Sequence, residues 1–168
     1  MIRFDPQDVK KLNKAITRLE RVLAIEKNDL PMYSALDYVY RLNRNIVNQK
    51  FAGTYASYSP KYAAWKSKNY PGSIGFWHLR GYMLKNLRAF KDPQGWIGGI
   101  NGSITVPGIG FGKGSKPQNL SDIGFRMEYG KGRQPARPLF MPTLDEYVNE
   151  GWPTVIARTI TKMKGAWV

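Results

Sequence analysis

The chain has no cysteine. A disulfide, a thiolate metal site and a cysteine nucleophile are therefore excluded, and the composition suits synthesis in a reducing cytoplasm. Histidine is nearly absent. His78 is the single one, so no multi-histidine metal site can form, and within Phe76-Trp-His-Leu79 it reads as a packed or surface side chain rather than a triad member. No apolar run reaches membrane-spanning length, and Met1-Ile-Arg-Phe-Asp5 carries no apolar signal core. The expectation is a soluble protein with no visible export signal. Carboxylates are also scarce and dispersed. Asp145 and Glu146 are adjacent, but they fall in the first turn of a predicted helix, where negative charge is stabilised anyway. Nothing points to a pair of glycosidase carboxylates. The glycine-rich run Gly108-Ile-Gly110-Phe-Gly112-Lys-Gly114-Ser115-Lys116 fails the Walker spacing, because Pro107 stands five positions before Gly112. Pro117 also blocks a following helix, and the dinucleotide fingerprint fails too. No enzyme, metal or cofactor is expected.

What is present is positive charge. The 168 residues carry 26 Lys and Arg against 12 Asp and Glu, a formal net charge of +14. Residues 1–90 hold 16 basic and 6 acidic side chains, and residues 91–168 hold 10 and 6, so the excess lies in the N-terminal half. Such a balance fits either a polyanionic partner, nucleic acid first, or a solvated basic surface. Aromatic residues make up 13% and suit interfaces as well as cores. They interleave with lysine in Lys61-Tyr62-Ala-Ala-Trp65-Lys66-Ser-Lys68-Asn-Tyr70. Bases could stack there, although Tyr62 and Trp65 are also spaced as one packed helix face.

The pattern predicts an α+β fold in one domain. Residues 1–51 read as a helical hairpin. Asp5-Pro6 starts the first helix, and Val9, Leu12, Ile16, Leu19, Val22 and Leu23 form its apolar stripe. Lys10, Lys11, Lys14, Arg18 and Arg21 take the other face. Lys27 to Pro31 forms the turn. The second helix buries Leu36, Val39, Tyr40, Ile46 and Val47 and exposes Arg41, Arg44 and Lys50. Residues 52–93 read as short helices, one opened by Ser59-Pro60 and one running from Phe76 to Phe90 and ending at Asp92-Pro93. Residues 94–130 read as an antiparallel sheet interrupted by an extended basic loop, 107–119, with Lys113 and Lys116. Asn101-Gly102 supplies hairpin-turn chemistry, placing Ile97 opposite Val106 and Gly99 opposite Ile104. Ile123, Phe125, Met127 and Tyr129 alternate with Gly124, Arg126 and Glu128, which predicts a strand. A proline loop follows, with Lys131, Arg133 and Arg137. Thr143-Leu-Asp-Glu146 has capping-box spacing for a C-terminal helix over 143–164, with a kink near Gly151 and Pro153. The end, Lys164-Gly-Ala-Trp-Val168, is expected to leave that helix.

Three segments in this order resemble the virion-morphogenesis, or tail-completion, proteins of tailed phages. They are Tyr62-Ala-Ala-Trp65-Lys66; Leu79-Arg-Gly81-Tyr-Met-Leu84-Lys-Asn86-Leu87; and Glu128-Tyr-Gly130 followed by Arg137-Pro138-Leu139-Phe140-Met141-Pro142. Trp65, Leu79, Gly81, Leu84, Glu128, Gly130, Pro138 and Phe140 carry the likeness. Asn86 stands where many relatives have serine, Leu139 separates Pro138 from Phe140, and 107–119 looks like an insertion. The resemblance implies a non-enzymatic virion protein of the neck or tail, made in the host cytoplasm. It assembles as a ring homo-oligomer, hexamer or dodecamer, against the head connector or adaptor and the tail tube or tail-terminator protein. It implies no membrane partner. Viral DNA passes through the lumen, and Arg41, Arg44, Lys113, Lys116, Lys131, Arg133 and Arg137 are the interface or lumen candidates. The alternative is a sequence-independent nucleic-acid-binding protein. On the first reading, Arg137→Ala leaves the monomer folded but impairs assembly.

Overall fold

A computed structural model describes residues 6–72, 75, 81–107, 116–132 and 134–167. The fold is α+β: helices pack around two small antiparallel sheets of two strands each.

Helix α1 (Pro6–Val47) is 42 residues long, about 63 Å at 1.5 Å per residue. The expected hairpin is therefore corrected: Pro31 lies inside one continuous helix. A proline there loses a hydrogen bond and costs about 3 kcal/mol. Packing by helix α6 (Trp152–Trp167) on both sides of it offsets that cost. Before the proline, Glu26 accepts hydrogen bonds from Thr159 Oγ1 at 3.1 Å and from Lys162 Nζ. After it, the Tyr33 ring lies beneath Arg158 and Lys162. The buried stripe of the lower half is also shifted from the expected one. Ala35, Val39, Leu42 and Ile46 face the core, whereas Leu36, Tyr40 and Val47 are exposed.

Helix α2 (Pro60–Asn69) follows the Ser59-Pro60 signal, with Ser59 Oγ accepting from Tyr62 N at 3.3 Å. The helix expected over Phe76–Phe90 is cut short. Among the described residues of that span only α3 (Tyr82–Asn86) is helical, and Leu87 enters strand β1 (Leu87–Asp92). The reason is turn chemistry. Asp92 Oδ1 accepts from Gln94 N at 2.8 Å and Gly95 N at 2.9 Å, so Asp92-Pro-Gln-Gly95 folds the chain back into β2 (Gly95–Ile100) instead of ending a helix. Ile97 then faces Phe90 and Gly99 faces Arg88, not Val106 and Ile104. Strand β3 (Thr105–Val106) pairs with β4 (Gln118–Asn119). Asn101-Gly102 is a turn between sheets, where Ser103 N donates to Asn101 Oδ1 at 3.0 Å. Gly98 lets β2 lie directly on α1: a Cβ there would stand 2.8 Å from Ala35 O.

The predicted strand at 123–129 is helix α4 (Leu120–Tyr129), capped by Asn119 Oδ1 on Ser121 N at 2.9 Å. The alternation joined two different helix faces. Leu120, Ile123 and Met127 belong to the core, while Phe125 and Tyr129 are exposed and stacked at 4.8 Å. Helix α5 (Phe140–Glu146) begins three residues before Thr143, so the capping box is corrected as well. Thr143 is fully buried and acts inside the helix. The predicted break at Gly151–Pro153 is replaced by a π-helical turn, Tyr147–Gly151, in which Trp152 N donates to Tyr147 O. Helical backbone then continues to Trp167, so the tail does not leave it. The core joins Val39, Leu42 and Ile46 to Met83, Leu87, Val106, Leu120 and Leu139.

Candidate functional site at the proline loop

The loop between α4 and α5 is fastened at both ends by buried polar side chains. Gly130 leaves α4 with φ 76°. A Cβ there would meet Ala136 N and Gln134 O at 2.9 Å, so glycine is required for both conformation and space. Lys131 and Gln134 bridge each other across the tip. The chain returns when Arg137 N donates to Met127 O at 2.6 Å.

Helix α5 has no side-chain cap of its own. Glu128 supplies one from the neighbouring helix. Its Oε2 accepts from Leu139 N at 2.7 Å and Phe140 N at 2.9 Å, and its Oε1 accepts from Met141 N at 2.9 Å. A buried carboxylate thus satisfies three of the four amides that a helix start leaves open and lies where the helix dipole favours negative charge. Tyr38 Oη donates to Phe140 O at 2.9 Å, and Tyr55 Oη donates to Pro138 O at 2.6 Å. Burial, with the Glu128 charge nearby, pushes the Tyr38 phenol well above its ordinary value.

A second buried carboxylate closes the other end of α5. Glu146 accepts from Arg41 at 3.1 Å, from Asn45 Nδ2 at 3.0 Å, from Lys50 Nζ at 2.6 Å and from Arg44. Burial alone raises its pKa. The hydrogen bonds from Lys50 and Asn45 and the charges of Lys50 and Arg44 outweigh that and hold it below the ordinary value. Asn45 also donates to Thr143 Oγ1 at 3.0 Å, which explains why both are buried.

The predicted cationic candidates therefore separate. Arg41 and Arg44 are ion-paired partners of Glu146, with Asp37 and Glu150 also on Arg41. Arg137 is only 5% exposed, donates to Ala56 O at 3.2 Å and lies over the Tyr58 ring. These three arginines hold the fold together and do not face solvent as a lumen surface; that reading is corrected. Lys116 and Lys131 are exposed, whereas Lys113 and Arg133 lie outside the described residues, as do His78 and Leu79. Glu128, Gly130, Pro138 and Phe140 meet at this loop. Gly81 (φ 69°) precedes α3, and Leu84 packs on the core. Trp65 lies in a separate aromatic row with Tyr62 and Tyr70, at 5.4 Å to each.

Sequence reasoning missed Lys66, which is buried and donates to Gly75 O and, at 3.4 Å, to Tyr58 Oη. Burial and the Arg137 charge lower its pKa, and the Tyr58 phenol is pushed up to about 12, mainly by burial. The Lys66–Tyr58 spacing of eight residues carries no local signal. Among the described residues no three metal-ligating side chains converge, and no helix is long and apolar enough to cross a membrane. Comparison with family models, curated proteins and solved structures returned no match.

Proposed function

We propose that the chain is a structural subunit of a tailed-phage virion, a tail-completion or neck protein. It forms a six- or twelve-fold ring that joins head connector and tail and lets DNA pass. The supporting observation is surface area. The chain exposes 11570 Å², whereas a compact monomer of 19.1 kDa exposes about 8,400 Å². The excess, roughly 3,000 Å², is enough for a contact of roughly 1,500 Å² with each of two neighbours, as in permanent assemblies. Head-to-tail contacts of that kind close into rings. The proline loop gives such a subunit a rigid edge, and its chemistry is positional rather than catalytic. Mass measurement and negative-stain microscopy test the reading, alone and with connector and tail proteins. Rings are expected; a chain that stays monomeric under all these conditions would sink it.

The second reading, sequence-independent nucleic-acid binding, is favoured by one observation. Lys10, Lys11, Lys14, Arg18 and Arg21 are all exposed along α1, on one side of the helix by their spacing. With the buried arginines set aside, this ridge is the cationic surface available to phosphate. Binding to duplex DNA should weaken with salt by about 0.9 logarithmic units per neutralised phosphate. Binding insensitive to salt would remove the reading.

A further inference from the structure

The N-terminal half of α1 presents apolar side chains that nothing in the chain covers. Leu12 is 50% exposed, Ile16 40%, Leu23 44% and, on α6, Ile160 45%. These belong to one flank. The Glu26 contacts with Thr159 and Lys162 set the register of α6 along α1. That register puts the end of α6 opposite about residue 20 and leaves roughly the first four turns of α1 beyond it. On α1, Ala15, Leu19, Val22 and Glu26 are buried or half-buried. On α6, Val155, Ile156, Thr159 and Met163 are half-buried. At about 100° per residue, Leu12, Ile16 and Leu23 lie 50–90° beyond that contact line on α1, and Ile160 lies a similar angle beyond it on α6. In an antiparallel pair of right-handed helices, both offsets fall on the same side. A continuous apolar flank results.

We infer that this flank is a contact for a second copy of the chain, with the two α1 arms antiparallel. Three observations select that occupant. First, the stripe reads the same when reversed: about a centre between Thr17 and Arg18, Leu12 meets Leu23 and Ile16 meets Leu19. An isologous contact needs this self-complementarity. Second, the charge is arranged to permit it. A chain of net charge +14 resists its own kind, yet Lys10, Lys14, Arg18 and Arg21 lie on the opposite ridge, about 130–180° from the flank. Two copies meet without bringing those side chains into the seam. Third, the excess surface of roughly 3,000 Å² exceeds what a stable dimer buries per partner, about 800 Å². The inference stands apart from the neck reading, because a two-fold arm contact pairs chains whether or not the pairs close into rings.

The absence of cysteine makes the test direct. Leu12→Cys and Leu23→Cys proteins are mixed, allowed to exchange and treated with a short bis-maleimide. The mixture is expected to give covalent dimers, while Leu12→Cys alone gives few, because its two copies stand about 17 Å apart along the arms. The pair Leu12→Ser with Ile16→Ser should remain helical by circular dichroism and weaken self-association roughly 100-fold in sedimentation. Cross-linking of Leu12→Cys alone but not of the mixture shows parallel arms and overturns the inference. So does wild type that sediments as a monomer at all concentrations. Closed rings without the 12–23 cross-link overturn it while leaving the neck reading standing; cross-linked pairs that never form rings do the reverse.

Discussion

At the residue scale, two buried glutamates hold the molecule's irregular segment. Glu128 serves three amides of α5, and no nearby side chain replaces it as a cap. Glu128→Ala is expected to cost about 3 kcal/mol or more, since buried donors are left unmade. Urea denaturation should show a lower midpoint with unchanged slope; a shift under 1 kcal/mol would mean that water replaces the cap. Glu146 makes a pH prediction. Its folded pKa is lowered, so the folded state binds the proton less readily than the unfolded chain. The stabilisation is therefore present above the unfolded value, about 4.3, and is lost as pH falls through the lower folded value. Glu26 is lowered in the same sense, chiefly by its hydrogen bond from Lys162 against the opposing effect of burial. Melting temperature should fall as pH drops from 5 to below 3, and Glu146→Gln should be less stable at neutral pH with the gap closing in acid. A gap that stays constant with pH would show that the carboxylate charge contributes nothing. Arg137 belongs to the same set of buried polar groups. The expectation of a folded but assembly-defective Arg137→Ala gives way to one of a destabilised monomer, because the guanidinium is packed between Tyr58 and Ala56.

At the element scale, the decisive object is the unbroken α1. Proline at the first turn of a second helix is favourable, whereas proline in a helix interior costs about 3 kcal/mol. The two arrangements therefore predict opposite results for one substitution. In the continuous helix, Pro31→Ala restores the hydrogen bond to Lys27 and should raise stability, by up to about 3 kcal/mol. In a hairpin it would be neutral or harmful, and a lower melting temperature would return the hairpin. Local signals were legible in the sequence where one neighbour decides the outcome, as at Ser59-Pro60, where the cap and the first helical residue are adjacent. They misled where two readings share one pattern. Residues 123–129 alternate in polarity, but Ile123 and Met127 are four apart and face the core, while Phe125 and Tyr129 are four apart and face outward. Two turn signals also competed, Asp92-Pro-Gln-Gly95 and Asn101-Gly102, and the first formed the longer hairpin. At the site, the motif residues Glu128, Gly130, Pro138 and Phe140 were visible as a group. Their roles were not, because Glu128 acts on amides 11 to 13 residues away and Glu146 draws its partners from α1, about 100 residues earlier. Such pairings are set by how the helices pack, and no local spacing encodes them.

At the scale of the whole molecule, the same net charge of +14 acts on both kinds of partner, and salt separates them. Two copies of the chain repel one another over the screening length, which is about 30 Å at 0.01 M salt and about 8 Å at 0.15 M. The contact flank itself is apolar, and burial of apolar surface loses nothing when ions are added. Self-association should therefore strengthen between those two salt concentrations. Binding to DNA depends on release of condensed cations and must weaken over the same interval, by about 0.9 logarithmic units per tenfold salt for each phosphate neutralised. Sedimentation and a DNA-binding titration on one preparation should thus move in opposite directions. Replacing Lys11, Lys14 and Arg18 together by glutamine should sharpen the contrast. The salt slope for DNA should drop by about 1 for each cation that contacts phosphate, and self-association at 0.01 M should improve, because repulsion between copies is reduced while Leu12, Ile16 and Leu23 are untouched. If the triple variant instead loses self-association, the basic ridge and not the apolar flank holds the copies together.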